Sequence, residues 1–159
     1  METNDALRQH VLELLDGKSA HIDLESALKD FPLDKINDKS GGSPHSAWQL
    51  LEHIRIAQWD ILDFCRDPNY KEMKWPDDYW PKDGGTKLAW DNSVKQVLAD
   101  LEAMRDIVSN ESTDLFAKIP HGSGQTVLRE AMLVADHNAY HLGQIVLLRR
   151  MFENGYLGA

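Results

Sequence analysis

Gln125-Thr126-Val127-Leu128-Arg129-Glu130 opens a stretch that continues through Asp136-His137-Asn138-Ala139-Tyr140-His141-Leu142-Gly143-Gln144 to Phe152. It is apolar and helix-favouring throughout, and its reading as one long helix decides the fold. Within it, His137 and His141 stand four residues apart. That is slightly more than one helical turn, so both imidazoles leave the same face and come within reach of a single ion. A third ligand must come from elsewhere in the chain.

Upstream of this last helix, Ile119-Pro120-His121-Gly122-Ser123-Gly124 is a break, and downstream Asn154-Gly155 is its expected end. Helical periodicity recurs from Thr86 to Ser109 through Leu88, Trp90, Val94, Val97, Leu98, Leu101, Met104 and Ile107. It also runs from Ser43-Pro44 to Asp67-Pro68 through Ala47, Leu50, Leu51, Ile54, Ala57, Ile61, Leu62 and Phe64, with Ser43 as the expected N-cap and Pro44 as the first helical residue. A first helix spans Asp5 to Leu15, capped by Asn4 or Thr3, and a shorter one covers His21 to Asp30 before Phe31-Pro32. Asn69 to Gly85 carries Pro76, Pro81, Gly84, Gly85, Trp75, Tyr79 and Trp80, and reads as an ordered crossover loop. Strand-like alternation is absent. The expected fold is all-α: an antiparallel four-helix bundle with a short extra helix and a long crossover loop between the second and third long helices, forming one domain over residues 1–159. Bundles of this kind build ligand and metal sites in their cores from facing helices.

Composition narrows the function classes. The chain of 159 residues is 42% hydrophobic and 27% charged, ordinary globular values with enough length to bury a core. Its 26 acidic against 17 basic residues give a formal charge of −9, which disfavours nucleic acid or an anionic membrane as a main partner. Cys65 is the lone cysteine, and Met-Glu-Thr-Asn-Asp lacks the features of a secretory signal, so a reducing cytoplasm is the expected compartment. No apolar run approaches the roughly 18 residues of a membrane span.

The third ligand is sought among the other histidines. His53 is the histidine in the middle of the amphipathic run from Ala47 to Phe64. If that helix faces the last one, three nitrogens converge on one side of a metal and leave positions open for water or substrate, as in catalytic sites. His121 is the strongest rival, His10 lies beside the apolar face of the first helix, and His21 and His45 read as exposed or capping residues. Without the Glu of a His-Glu-x-x-His motif the pair is unspecific by itself. Helical geometry nominates Gln144, Glu130 and Asp60 as residues near the histidine face that could orient ligands through their second ring nitrogens. Trp48, Trp59, Trp75, Trp80 and Trp90 are mostly core by expectation, with lining of a substrate pocket as the alternative. Arg149-Arg150 reads as a complement to the dipole of its own helix C-terminus.

Two blocks, Ser46-Ala47-Trp48-Gln49-Leu50-Leu51-Glu52-His53-Ile54 and Thr126 to Glu130 continuing through His137, His141, Gly143-Gln144-Ile145 to Arg149-Arg150, resemble the DinB-like superfamily, which includes the YfiT-type metal-dependent hydrolases and some thiol-dependent transferases and isomerases. The family pattern, one histidine on the second helix and an HxxxH pair on the last, falls here on His53, His137 and His141. The resemblance implies a bundle, often dimeric, that holds a divalent metal such as zinc or nickel through three histidines and solvent. It also implies a small-molecule substrate and, in some members, a low-molecular-weight thiol as cosubstrate.

The expected function is therefore that of a metal-dependent enzyme, a hydrolase or thiol S-transferase, in which His53, His137 and His141 hold the ion and Asp60 or Glu130 are candidates for the general base. A divalent cation creates a nucleophile near neutral pH from either water or a thiol. The alternatives are a non-enzymatic metal or small-ligand binding bundle and a plain structural bundle. Three imidazoles suit zinc, nickel, copper or iron about equally.

Overall fold

The computed structural model describes residues 3–154. It is all-helical, with five α-helices: α1 Thr3–Asp16, α2 Leu24–Leu28, α3 Ala47–Arg66, α4 Lys87–Ser109 and α5 Val127–Glu153. A 3-10 turn lies at Leu33–Lys35. No strand occurs among the described residues, only an isolated bridge between Lys118 and Thr126.

Side-chain caps set most of the starts. Ser46 accepts from the Gln49 backbone N–H at 3.3 Å while the Gln49 side chain accepts from the Ser46 N–H at 3.0 Å, a reciprocal box that begins α3. The expected start at Ser43-Pro44 is thus three residues early. The chain is still turning there: Gly41 and Gly42 hold φ of 59° and 75°, and the Ser43 hydroxyl donates to the His45 carbonyl. Thr86 and Thr126 cap α4 and α5 by accepting from Ala89 and Arg129 N–H groups. Asp23 caps α2 through Ser26, so the helix expected from His21 shortens to little more than one turn. Helix α1 includes Thr3 and Asn4, which puts its cap position outside the described residues; Gly155, expected at the end of α5, lies outside them too.

The long helices α1, α3, α4 and α5 pack in a ring, with α3 and α1 each touching both α4 and α5. Their directions correct the all-antiparallel expectation. Pairings climb together along α3 and α4, from Trp48 bonded to Asp83 just before α4, through Glu52 with Ser93 to Gln58 with Val97, so these two helices run parallel. On α3 and α5 they run oppositely: Ile54 shares a core with Ile145, and Leu62 lies with Ala131 and Val134. The physical reason is the segment between α3 and α4, which has no helix and is long enough to return the chain to the end where α3 began.

Two apolar clusters fill the ring. One joins the first half of α3, the start of α4 and the end of α5 under Leu28, Phe31 and Ile36; the other joins α1 to the far halves. Buried amides stand between them: Gln58 donates to the Val97 carbonyl at 2.6 Å and accepts from Asn138 at 2.7 Å. Trp48 and Trp90 are core, but Trp59 and Trp75 are exposed, as are Leu88 and Leu14 on their helices. Arg149 does not serve its own helix end; it donates to the Ala27 and Lys29 carbonyls and so closes the C-terminus of α2.

Candidate metal centre

His53 projects from the middle of α3, and His137 and His141 from the middle of α5, where the two helices face each other. Their ring centroids are separated by 4.6 to 4.9 Å, and one potential ligand nitrogen from each lies within 4.8 Å of the others. His53 is 2% exposed and His141 8%, while His137 is half-buried. No helix among the described residues is long and apolar enough to cross a membrane.

Hydrogen bonds select the tautomers. A carbonyl only accepts, so His53 Nδ1 carries the proton that it donates to the Tyr79 backbone oxygen at 2.9 Å, and its Nε2 presents a lone pair. Likewise His141 Nδ1 donates to Gln144 Oε1 at 2.7 Å, leaving its Nε2 as the acceptor. His137 Nε2 lies 3.1 Å from His53 Nε2, and His137 Nδ1 is buried without a partner. Either His137 donates through Nε2 and strands a buried lone pair at Nδ1, or two lone pairs confront each other. A shared cation relieves the second arrangement. Two imidazole nitrogens on one tetrahedral zinc stand about 3.3 Å apart, close to the 3.1 Å found here. The residues present therefore fit a divalent ion.

Electrostatics point the same way. Burial, followed by the neighbouring histidines His141 and His53, pushes the His137 pKa down to about 4. Burial lowers His53 as well, outweighing the Tyr79 bond, and lowers His141 against the opposing bond to Gln144. All three are held neutral at pH 7, the form in which imidazole binds metal.

A family model described as the DinB superfamily matches residues 18–145, a span that includes all three histidines. The chain belongs to the DinB superfamily. Comparison with curated proteins and comparison with solved structures each return no match.

In this DinB superfamily chain the residues nominated as neighbours of the histidines separate into two kinds. Gln144, three residues after His141, touches it directly. Asp60 and Glu130 share the histidine-bearing faces but lie two turns along, about 10 Å on a helix axis. Asp60 accepts from the Tyr70 and Tyr79 hydroxyls at 3.0 and 2.6 Å and reaches His53 only through Tyr79; Glu130 pairs with Arg129 at 2.6 Å. Neither contacts the trio, so neither is placed to act as its base. His121 donates to the Phe64 carbonyl and stands apart, while His10 and His21 are exposed.

The tryptophans, expected to be mostly core with pocket lining as the alternative, divide here: Trp75 and Trp80 stand beside the histidines. Trp80 lies flat on His53 at 4.0 Å with a 1° interplanar angle, and its other face carries His45 at 4.0 Å. His45 is thus part of the surround rather than a free capping residue. Trp75, 66% exposed and 6.2 Å from His53, and Tyr140, 67% exposed and 4.9 Å from His141, flank the imidazoles. A backbone carbonyl such as that of Tyr79 leaves no sequence signal, but the clustering of Trp75, Tyr79 and Trp80 in one loop was a usable one.

Proposed function

We propose that His53, His137 and His141 hold a divalent ion, zinc or nickel, and that the protein is a hydrolase or thiol S-transferase acting on a small molecule. The observation that carries this reading is the 3.1 Å contact between two Nε2 atoms whose lone pairs a cation would share. When bound, such an ion supplies Lewis acidity that makes water or a low-molecular-weight thiol nucleophilic near neutral pH.

The protein's own groups do the holding and shaping. The Tyr79 carbonyl and the Gln144 side-chain oxygen accept hydrogen bonds from Nδ1–H of His53 and His141 and so fix ring orientation and tautomer. Trp80 seals one face of His53, keeping water from that side, while exposed Trp75 and Tyr140 stand where a substrate would meet aromatic surface. Cys65 is no nucleophile in this scheme: burial first, then the charge of Glu130, pushes its pKa up to about 12.

Four long helices arranged as a bundle, working as a cytoplasmic homodimer, complete the proposal. The ring of helix contacts supports the first part. Met132 and Leu147, exposed apolar side chains along α5, support the homodimer. A dimeric mass by light scattering is expected, and a monomeric mass at micromolar concentration would reject the homodimer.

The test of function is turnover. Metal-loaded and chelated protein are compared on ester and amide substrates, and on thiols paired with electrophiles. The proposal expects at least one reaction that needs the metal and disappears in His141→Ala; metal binding without metal-dependent turnover in any class would instead identify a binding module.

A further inference from the structure

Asp60 stands on α3 two turns beyond His53, on the same face, and is 8% exposed. Both of its oxygens are engaged by phenols from the segment that connects α3 to α4. The Tyr70 hydroxyl donates to Oδ1 at 3.0 Å and the Tyr79 hydroxyl to Oδ2 at 2.6 Å. A hydroxyl bonded to a carboxylate makes a short, charge-assisted bond, and burial strengthens it. The connecting segment is thereby tied at two points to the helix that carries His53. Tyr79 then makes a second contact with that helix. Its backbone carbonyl accepts from His53 Nδ1 at 2.9 Å, and the next residue, Trp80, lies flat on the His53 ring at 4.0 Å. One residue thus joins the Asp60 carboxylate, through its side chain, to the His53 imidazole, through its main chain.

We propose that Asp60 is a positioning residue for the histidine centre: through Tyr79 it fixes the carbonyl that keeps the His53 proton on Nδ1 and leaves Nε2 free as a ligand atom. The inference rests on the reading of the three histidines as metal ligands. Which imidazole nitrogen is free to bind is set by the bond that the other one makes, so whatever holds that partner in place belongs to the site. The partner here is a carbonyl on a segment without helix, whose own backbone bonds do not hold it against α3. The hydroxyl tie to Asp60 supplies that restraint, and it acts on Trp80 by the same lever. Asp60 therefore serves the centre without touching the ion or a substrate.

Three variants of the full chain test it. Asp60→Ala removes both ties and can cost the fold, so Tyr79→Phe, which deletes one hydroxyl and keeps the ring, is the second variant, and Tyr70→Phe removes the tie that does not lead to His53. The tautomer of His53 is read in metal-free protein from the ring-nitrogen resonances of isotope-labelled histidine, assigned by their loss in His53→Ala. Zinc affinity is measured alongside, with circular dichroism as the check on folding. The wild type should show His53 protonated at Nδ1. Tyr79→Phe and folded Asp60→Ala should bring in the Nε2–H form and weaken zinc binding about 10-fold, the low end for outer partners of a ligating histidine. Tyr70→Phe should leave both readouts as in the wild type. A His53 that stays protonated at Nδ1 in Tyr79→Phe, zinc affinity unchanged by that substitution, or an equal change in Tyr70→Phe would overturn the inference. Wild-type protein that binds no zinc would defeat the metal reading instead, and the tautomer in the metal-free chain would still decide whether Asp60 sets His53.

Discussion

His53 and His137 place their Nε2 atoms 3.1 Å apart across the interface of α3 and α5. The contact is made by neutral rings, because burial and the neighbouring imidazoles disfavour protonation of each. One ring is pinned by a backbone carbonyl and the next histidine along α5 by a side-chain amide, so two of the three rings have their free nitrogens fixed without help from a ligand. That is the preorganisation a tight site requires.

Gln144 should matter for metal and little for folding. It is half-buried and its Oε1 accepts a hydrogen bond from His141 Nδ1 at 2.7 Å. Gln144→Ala is expected to weaken zinc binding by about 10- to 100-fold, measured by competition with a chromophoric chelator, while circular dichroism keeps its helical signal. Unchanged affinity would mean that His141 is oriented by its packing alone.

Trp80 offers an optical report of the centre. Its ring lies 4.0 Å from that of His53, so a paramagnetic ion such as nickel should quench part of the tryptophan emission. Trp80→Phe should remove a large share of that quenching while Trp59→Phe, on an exposed stretch of α3, removes little. Equal effects of the two substitutions would argue that the ion binds elsewhere.

Gly85 meets the core directly. A Cβ built there would lie 2.5 Å from the ring of Trp48, whose indole N–H is bonded to the Asp83 carbonyl at 2.9 Å. Gly85→Ala must displace either the ring or the start of α4, at a cost of about 1–3 kcal/mol, seen as a lower denaturation midpoint in urea. An unshifted midpoint would show that the loop before α4 yields freely.

Asp100 gives a pH dependence with a definite sign. Burial raises its pKa above the ordinary carboxylate value despite the Gln96 bond and the charges of Arg66 and Arg55, and its Oδ2 has no partner. A raised folded pKa means that this group's contribution is most favourable below the unfolded value near 4 and is lost as pH rises through the folded value. Asp100→Asn should therefore stabilise the protein at pH 7, on the order of 1 kcal/mol, with the gain vanishing toward pH 4. Thermal melts across that range check it, and a gain that grows on acidification would reverse the assignment.

The four long helices were legible in the sequence because each buries a stripe at helical period, and α3, α4 and α5 also begin at a Ser or Thr cap. His53, His137 and His141 were legible from spacing and family likeness together. Helix direction was not, since it depends on how far residues 67–86 carry the chain, and loop composition says nothing of destination. The fate of Asp60 and Glu130 was lost for a related reason: seven-residue spacing keeps the face but advances two turns, beyond hydrogen-bonding reach. Trp80 and His45 join the site through the loop and the turn before α3, where no periodicity exists to read.

The central claim is the ion itself, and metal content tests it most directly. Untagged protein, reconstituted with zinc or nickel and freed of excess by gel filtration, is analysed by atomic emission beside His53→Ala and His141→Ala, with circular dichroism confirming that each variant is folded. A single tightly held ion per chain in the wild type and strong depletion in both variants is the predicted result. Wild-type protein that retains no more metal than folded His53→Ala and His141→Ala would contradict it.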